Sequence, residues 1–391
     1  MAAVSGFVGL LILLYSFGYM AKYPGKVEFF AYMILFLASM MGLVFSANLL
    51  LMYIFWEITA FCSWRLIGFY RKESDLWFAD KAFIMTFLGA SVMLVGVVLI
   101  YLNYGTLNFD ALKGTQISNL IFVLLLAGMF SKSAQLPLSS WLPDAGVAPS
   151  PVTALLHAAV LVKIGVYAYA RLFSDVFVVS ETIKSGLIFL VMFSGLVSAV
   201  SAARENNIKR ILAYSTISQL SYIFLGLIIN SEFSFIAALL FILVHSIGKA
   251  GLFLTAGIVE HKTHTKDLRE LGGLIKTMPV AALSYLLCAF SIIGLPPFGG
   301  FFSKFYLILA TASAGYYGAA ALGIAIALVT LVYLFRLFDG IFLGAAKKSV
   351  DAHVPLTMNF VVFVFGALSL LIGLFIKYPF DFLFTVSRSI H

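Results

Sequence analysis

Glu57 and four lysines, Lys132, Lys163, Lys249 and Lys304, stand inside long apolar stretches, and so do Arg65 and Arg336. A charge at a bilayer centre costs about 2.5–3.5 kcal/mol on insertion scales. A chain that keeps this set has a use for it, and moving ions or protons is the usual one. In LLLMYIFWEITAFCSWRLIGFY, Glu57 needs a cation close by to stay ionised, and Lys132 is the candidate partner. Such a pair either switches, releasing a proton when the lysine moves away, or statically locks two helices together. His157 and Lys163 share the segment PSPVTALLHAAVLVKIGVYAYA, while His245 and Lys249 are spaced i,i+4 on one helical face. Histidine titrates near neutral pH and can pass protons between lysines. A lone histidine on an apolar face is otherwise a satisfied core residue, but each of these lies close to a buried lysine. Ser215, Thr216, Ser218 and Gln219 either hydrate a central route or hydrogen-bond one helix to the next.

The elements that must hold these groups are membrane helices. Mean hydropathy is +1.05, 62% of the residues are hydrophobic and 11% are charged, which excludes an ordinary soluble domain. Apolar blocks long enough to cross a bilayer run over approximately 3–20, 29–47, 49–69, 82–102, 118–143, 151–171, 184–203, 211–229, 234–258, 279–313, 317–343 and 357–377. The expected fold class is therefore an all-α polytopic membrane protein of about twelve transmembrane helices. Pro137 and Pro143 interrupt the 118–143 block, and GLPPFGG interrupts 279–313, so both should break inside the bilayer. Lys132 precedes the first break and Lys304 follows the second, where freed carbonyls and water let an ammonium exist at depth. Snorkelling from a helix end is the alternative, and it is stronger for Lys304 than for Lys132 or Lys163. Arg65 and Arg336 lie near the ends of their spans and read as interfacial anchors, with Asp339 a local partner for Arg336.

Alternating loops sort the remaining basic residues by side. Those at 22–26, 71–81, 204–210, 262–276 and 347–348 fall on one face, against Lys113, Arg171, Lys184, Lys377 and Arg388 on the other. This bias places the basic loops in the cytoplasm and both termini outside, in a membrane expected to be a prokaryotic cell membrane. Spans two to six and seven to eleven each hold five helices, with the fourth broken. They suggest two inverted repeats, 29–171 and 184–343, between an N-terminal helix and loop (1–28) and a C-terminal helix and tail (357–391).

Several functions are excluded. Cys62 and Cys288 sit singly in apolar runs, so neither iron–sulfur ligation nor a zinc site is expected. His261 and His264 lie in a loop among Lys and Glu, too few for a metal site. The chain has no P-loop, dinucleotide glycine motif or HExxH. No metal or cofactor is therefore expected, and the net charge of +8 follows topology instead of signalling nucleic acid. The opening stretch lacks a basic n-region and reads as a first spanning helix, not a removable signal.

The segments LLLMYIFWEITAFCSWRLIGFY, SKSAQLPLSSWLPDAGVAPSPVTALLHAAVLVKIGVY, NNIKRILAYSTISQLSYIFLG, HSIGKAGLFLTAGIV and GLPPFGGFFSK are similar to those of one family. It is the antiporter-like, proton-translocating subunits shared by respiratory complex I, Mrp-type cation/proton antiporters and membrane-bound hydrogenases. The likeness runs from about residue 1 to 343. It implies that Glu57 and Lys132 form a first charge pair, that Lys163 and Lys249 continue a central axis and that Lys304 is a terminal switching residue. It also implies a subunit without a redox centre that works beside antiporter-like paralogues, small membrane subunits and a peripheral redox arm. The transported ion would be H⁺, with Na⁺ as an alternative. A gradient-driven Mrp-type antiporter and a non-translocating structural paralogue are the competing readings. The chain departs from the family pattern in lacking its first two helices and the long lateral helix, which implies a shorter, middle-type or specialised paralogue.

Overall fold

The computed structural model describes residues 1–347 and 353–388; Lys348 of the basic loops and 389–391 of the C-terminal unit lie outside them. The chain is almost wholly helical, as expected. Helices α1 (Ala2–Tyr19), α2 (Lys26–Val44), α3 (Leu49–Ile67) and α4 (Glu73–Tyr104) come first. A short α5 (Phe109–Leu112) leads to α6 (Asn119–Lys132), and α7 (Trp141–Asp144), α8 (Ser150–Ala154) and α9 (Leu161–Arg171) follow. The rest is α10 (Lys184–Arg204), α11 (Ile208–Ile229), α12 (Glu232–Thr263), α13 (Pro279–Ile293), α14 (Gly299–Ser313), α15 (Tyr317–Phe342), α16 (Leu356–Leu374) and α17 (Lys377–Arg388).

Ten segments among the described residues are long and apolar enough to cross a bilayer unaided. Their outer faces expose Leu10, Val27, Leu102 and Leu328, side chains that a lipid surround accommodates and water does not. The molecule is an integral membrane protein. Three segments are enclosed by the others: 150–176, α11 and α12 bury 94%, 94% and 89% of their apolar windows, against 33% for α2 and α15. These three make the interior in which the buried charges lie.

The two proline-interrupted stretches are the ones not crossed by a single helix. Helix α6 stops at Lys132 and the chain passes through a cis Leu136–Pro137 bond to α7. Helix α13 stops at Ile293, Gly294 turns the chain at φ 91°, and α14 starts at Gly299 after a cis Pro296–Pro297 bond. A third irregularity has no proline behind it. The expected span 151–171 opens into a π-turn at Leu155–Ala159, around His157. The wider turn frees Ala159 O from the α-helical ladder, and Ser5 Oγ donates to it at 2.7 Å. That cross-helix bond is a long-range event with no local sequence signal.

The two halves share details. Helices α4 and α12 both have 32 residues and both end on a left-handed residue, Gly105 and His264. Asn48 caps α3 through the Leu50 and Leu51 amides and pairs with Asn108. Asn207 caps α11 through the Lys209 and Arg210 amides and pairs with Asp267.

At the basic face Asp144 is clamped between Lys81 (2.7 Å) and Arg210 (2.5 Å), and Arg210 also binds Glu205 (2.9 Å). Burial works against the Glu205 charge, but the Asn207 amide, the Arg210 guanidinium and the Asn206 amide together hold its carboxyl below the usual range. Deeper in, Gly165 lets α9 touch α6, because a Cβ there would strike Met129 O and Ser133 Oγ.

Gly165→Ala should therefore destabilise the protein by about 1–3 kcal/mol, read as a lower thermal midpoint in detergent. The Glu205 contribution is present above the unfolded carboxyl pKa of about 4.3 and is lost as pH falls below it. Glu205→Gln should accordingly flatten the acid limb of a stability–pH curve, and an unchanged limb would contradict this.

Candidate functional site

Lys163, two residues into α9, points across to α12. Its Nζ lies 2.7 Å from His245 Nδ1, and both side chains are fully buried. One of the two must donate, so this contact shares a proton between an amine and an imidazole. His245 Nε2 has no partner among the described residues. His157, nearer to Lys163 in sequence, is elsewhere: its ring stacks on Phe253 at 4.3 Å and neither of its nitrogens has a partner among the described residues.

One turn beyond His245, Lys249 Nζ donates to Ser215 Oγ at 2.6 Å and to Leu212 O at 3.2 Å. Ser215 also accepts the Tyr333 hydroxyl at 2.7 Å. Tyr333 lies 3.3 Å from Thr330 Oγ1, which accepts Gln219 Nε2 at 3.2 Å. Of the four polar residues picked out on α11, Ser215 and Gln219 join this network. Thr216 bonds its own helix at Leu212 O, and Ser218 Oγ has no partner among the described residues. Sequence reasoning missed Tyr333 and Thr330, whose signal is an i,i+3 polar pair on an otherwise apolar helix. It also missed Gln135, which follows the α6 break, donates to Ile217 O and accepts from Ser221 Oγ.

The broken helices hold the outer lysines. Lys304 Nζ donates to Ile292 O (2.8 Å) and Ile293 O (3.3 Å), carbonyls released where α13 ends. The rings of Tyr222 and Phe241 stand 4.9 and 5.7 Å from the same ammonium, a cation–π environment. Lys132 Nζ lies 6.0 Å from the Trp56 ring and has no hydrogen-bond partner among the described residues. Glu57 Oε1 likewise lacks one, and Glu57 and Lys132 make no ion pair within 4.0 Å. Glu57 sits half-buried on α3, and Lys132 is buried at the end of α6.

The arginines stand apart from this set. Arg65 binds Glu28 at 2.7 Å, and Glu28 also holds Arg71. Arg336 does not pair with Asp339; its guanidinium donates to Ala203 O and Asn206 Oδ1, because the end of α10 is nearer than its own next turn. Lys209, counted above with the basic loops, is instead buried and bound to Glu260 at 2.6 Å. Among the described residues no three His, Cys, Asp or Glu side chains converge as a metal would need.

Lys132, Lys163, Lys249, Lys304, His157 and His245 thus meet hydroxyls, carbonyls, rings or one another. Each burial costs several kcal/mol, so the arrangement is a poor stabiliser.

Residues 46–332 match the family described as "NADH:quinone oxidoreductase/Mrp antiporter, TM", and residues 1–30 match "NADH-Ubiquinone oxidoreductase (complex I), chain 5 N-terminus". NADH-quinone oxidoreductase subunit L of Buchnera aphidicola is 37% identical over 97% of this chain and 63% of its own length. Na(+)/H(+) antiporter subunit A1 of Staphylococcus epidermidis is 34% identical over 91% of this chain and 50% of its own. The chain thus spans about half to two thirds of the curated relatives it matches. A chain of the membrane-bound sulfane sulfur reductase, an archaeal respiratory membrane complex, superposes with a TM-score of 0.88 at 28% identity, covering 99% of this chain and 80% of that one.

Ser215→Ala strips Lys249 of its shortest contact and should lower stability by about 1–3 kcal/mol, while Tyr333→Phe should cost about 0.5–1.5 kcal/mol. Thermal unfolding in detergent measures both, and equal losses would contradict Ser215 as the hub.

Proposed function

The chain belongs to the NADH:quinone oxidoreductase/Mrp antiporter transmembrane family, and from that premise we propose that it carries protons across the membrane as one subunit of a larger complex. The observation that carries the reading is the run of titratable groups within apolar helices: half-buried Glu57 on α3, then buried Lys132 at the end of α6, Lys163 against His245, Lys249 on Ser215 and Lys304 at the second break. His157 stands beside the run on the Phe253 ring. Each group changes charge by gaining or losing one proton, and a charge placed on one alters the proton affinity of the next. Closing Lys132 onto Glu57 favours the ionised carboxylate; opening it favours protonation. In this reading the redox step takes place in a peripheral arm, and antiporter-like paralogues and small membrane subunits flank the chain.

The same proposal includes two inverted five-helix units, 29–171 and 184–343. Equal 32-residue helices, matching left-handed caps and the Asn48 and Asn207 caps support it. The excess of Lys and Arg at one face supports a cytoplasmic location for that face, with both described ends on the opposite side of a prokaryotic cell membrane. A second reading, exchange of Na⁺ for H⁺ driven by an existing gradient, is favoured by the name of the Staphylococcus relative.

The test uses the assembled complex in sealed vesicles. Lys132→Ala and Glu57→Gln should each slow proton translocation by at least about tenfold with assembly intact. Wild-type rates in both would sink the reading. Translocation that requires Na⁺ would favour the second reading.

A further inference from the structure

We propose that a cavity on the basic face is a proton-uptake portal whose acceptor is Glu260, and that Glu260 and Lys209 form the first relay toward the buried lysines; this rests on the translocation reading above. The cavity, about 790 Å³, opens among Tyr19, Tyr70, Asp75, Glu260, His261 and Lys266. Phenols, carboxylates, the imidazoles of His261 and His264 and the amines of Lys72 and Lys266 line it, and it is polar and roomy enough for water.

Glu260 has two sides. Oε1 faces Lys266 at 3.1 Å, on a side chain that also lines the cavity. Oε2 faces inward, 2.6 Å from Lys209 Nζ, and accepts Ser150 Oγ at 2.8 Å. The Glu260 side chain is 18% exposed and that of Lys209 1%, so water reaches the acid and not the amine. Lys209 also donates to Ala148 O at 2.9 Å. It lies one turn before Leu212 on α11, and Leu212 O holds the Lys249 ammonium. The turn that begins at the portal pair therefore ends on the central axis.

The chemistry is that of a proton and not a metal cation. Two ammonium groups press on the carboxylate, and a metal ion there would meet both. A static pair gains little from this arrangement, since a buried ion pair is commonly no more stabilising than apolar residues of the same volume. The cycle balances. A hydronium ion in the cavity gives a proton to Glu260 and becomes water; an O–H bond forms on Glu260 and its hold on Lys266 loosens. Lys209 then gives an N–H proton, through intervening water, to the neutral amine of Lys249, whose ammonium rests on Leu212 O. The Glu260 O–H bond breaks, an N–H bond re-forms on Lys209, and both charges return.

The experiment measures initial proton uptake by sealed vesicles bearing the assembled complex. Glu260→Gln should slow uptake by at least about tenfold, and Glu260→Asp should keep a measurable part of it. Glu260→Gln leaves Lys209 buried and unpaired, so a Glu260→Gln/Lys209→Met double variant serves as the control for folding. It should recover assembly and thermal stability but not uptake. Wild-type uptake in Glu260→Gln, or recovery of uptake in the double variant, overturns the portal. If Lys132→Ala still blocks translocation in that case, the portal alone has failed. If Lys132→Ala also runs at wild-type rate, the translocation reading fails with it.

Discussion

An ammonium group out of water must find oxygen, nitrogen or an aromatic face, or lose its proton. That constraint governs the interior of this protein. Lys249 finds a serine hydroxyl, Lys304 finds two carbonyls and two rings, and Lys163 finds an imidazole. Among the described residues none of the three has a carboxylate partner, so each is held by dipoles and rings instead of by a full opposite charge.

The fold's irregularities serve the same constraint. A regular helix spends every carbonyl on its own ladder and has none to offer an ammonium. Ending α13 at Ile293 releases the two carbonyls that hold Lys304. Ending α6 at Lys132 lets Gln135 and its neighbours stitch the break to α11. The π-turn at Leu155–Ala159 frees Ala159 O in the same way, and α1 uses it through Ser5. Around this core the outer helices present Leu, Val and Phe to lipid, whose attraction for them is indifferent to detail. Specificity therefore sits inside and the outer surface is permissive.

Which residues were special was legible in the sequence, because a charge within an apolar block is conspicuous. Which residues they meet was less so. Lys163 meets His245 from another helix, although His157 is closer along the chain. Arg336 turns to the end of α10 and not to Asp339. Lys209 looked like any member of a basic loop, yet it is buried against Glu260. In each case the deciding distance runs between helices, and sequence spacing reports only distances along one.

The sequence by itself determined the class of protein, the two proline-marked helix breaks and most of the buried charges. Those follow from transfer free energy and proline geometry, which act residue by residue. Only the tertiary structure decided the pairing of lysines with hydroxyls, carbonyls and imidazoles, the open Glu57–Lys132 gap and the cavity before Glu260. Those depend on how α11 and α12 are rotated and enclosed by the surrounding helices. A rotation is set by packing summed over many side chains, and no local stretch of residues carries it.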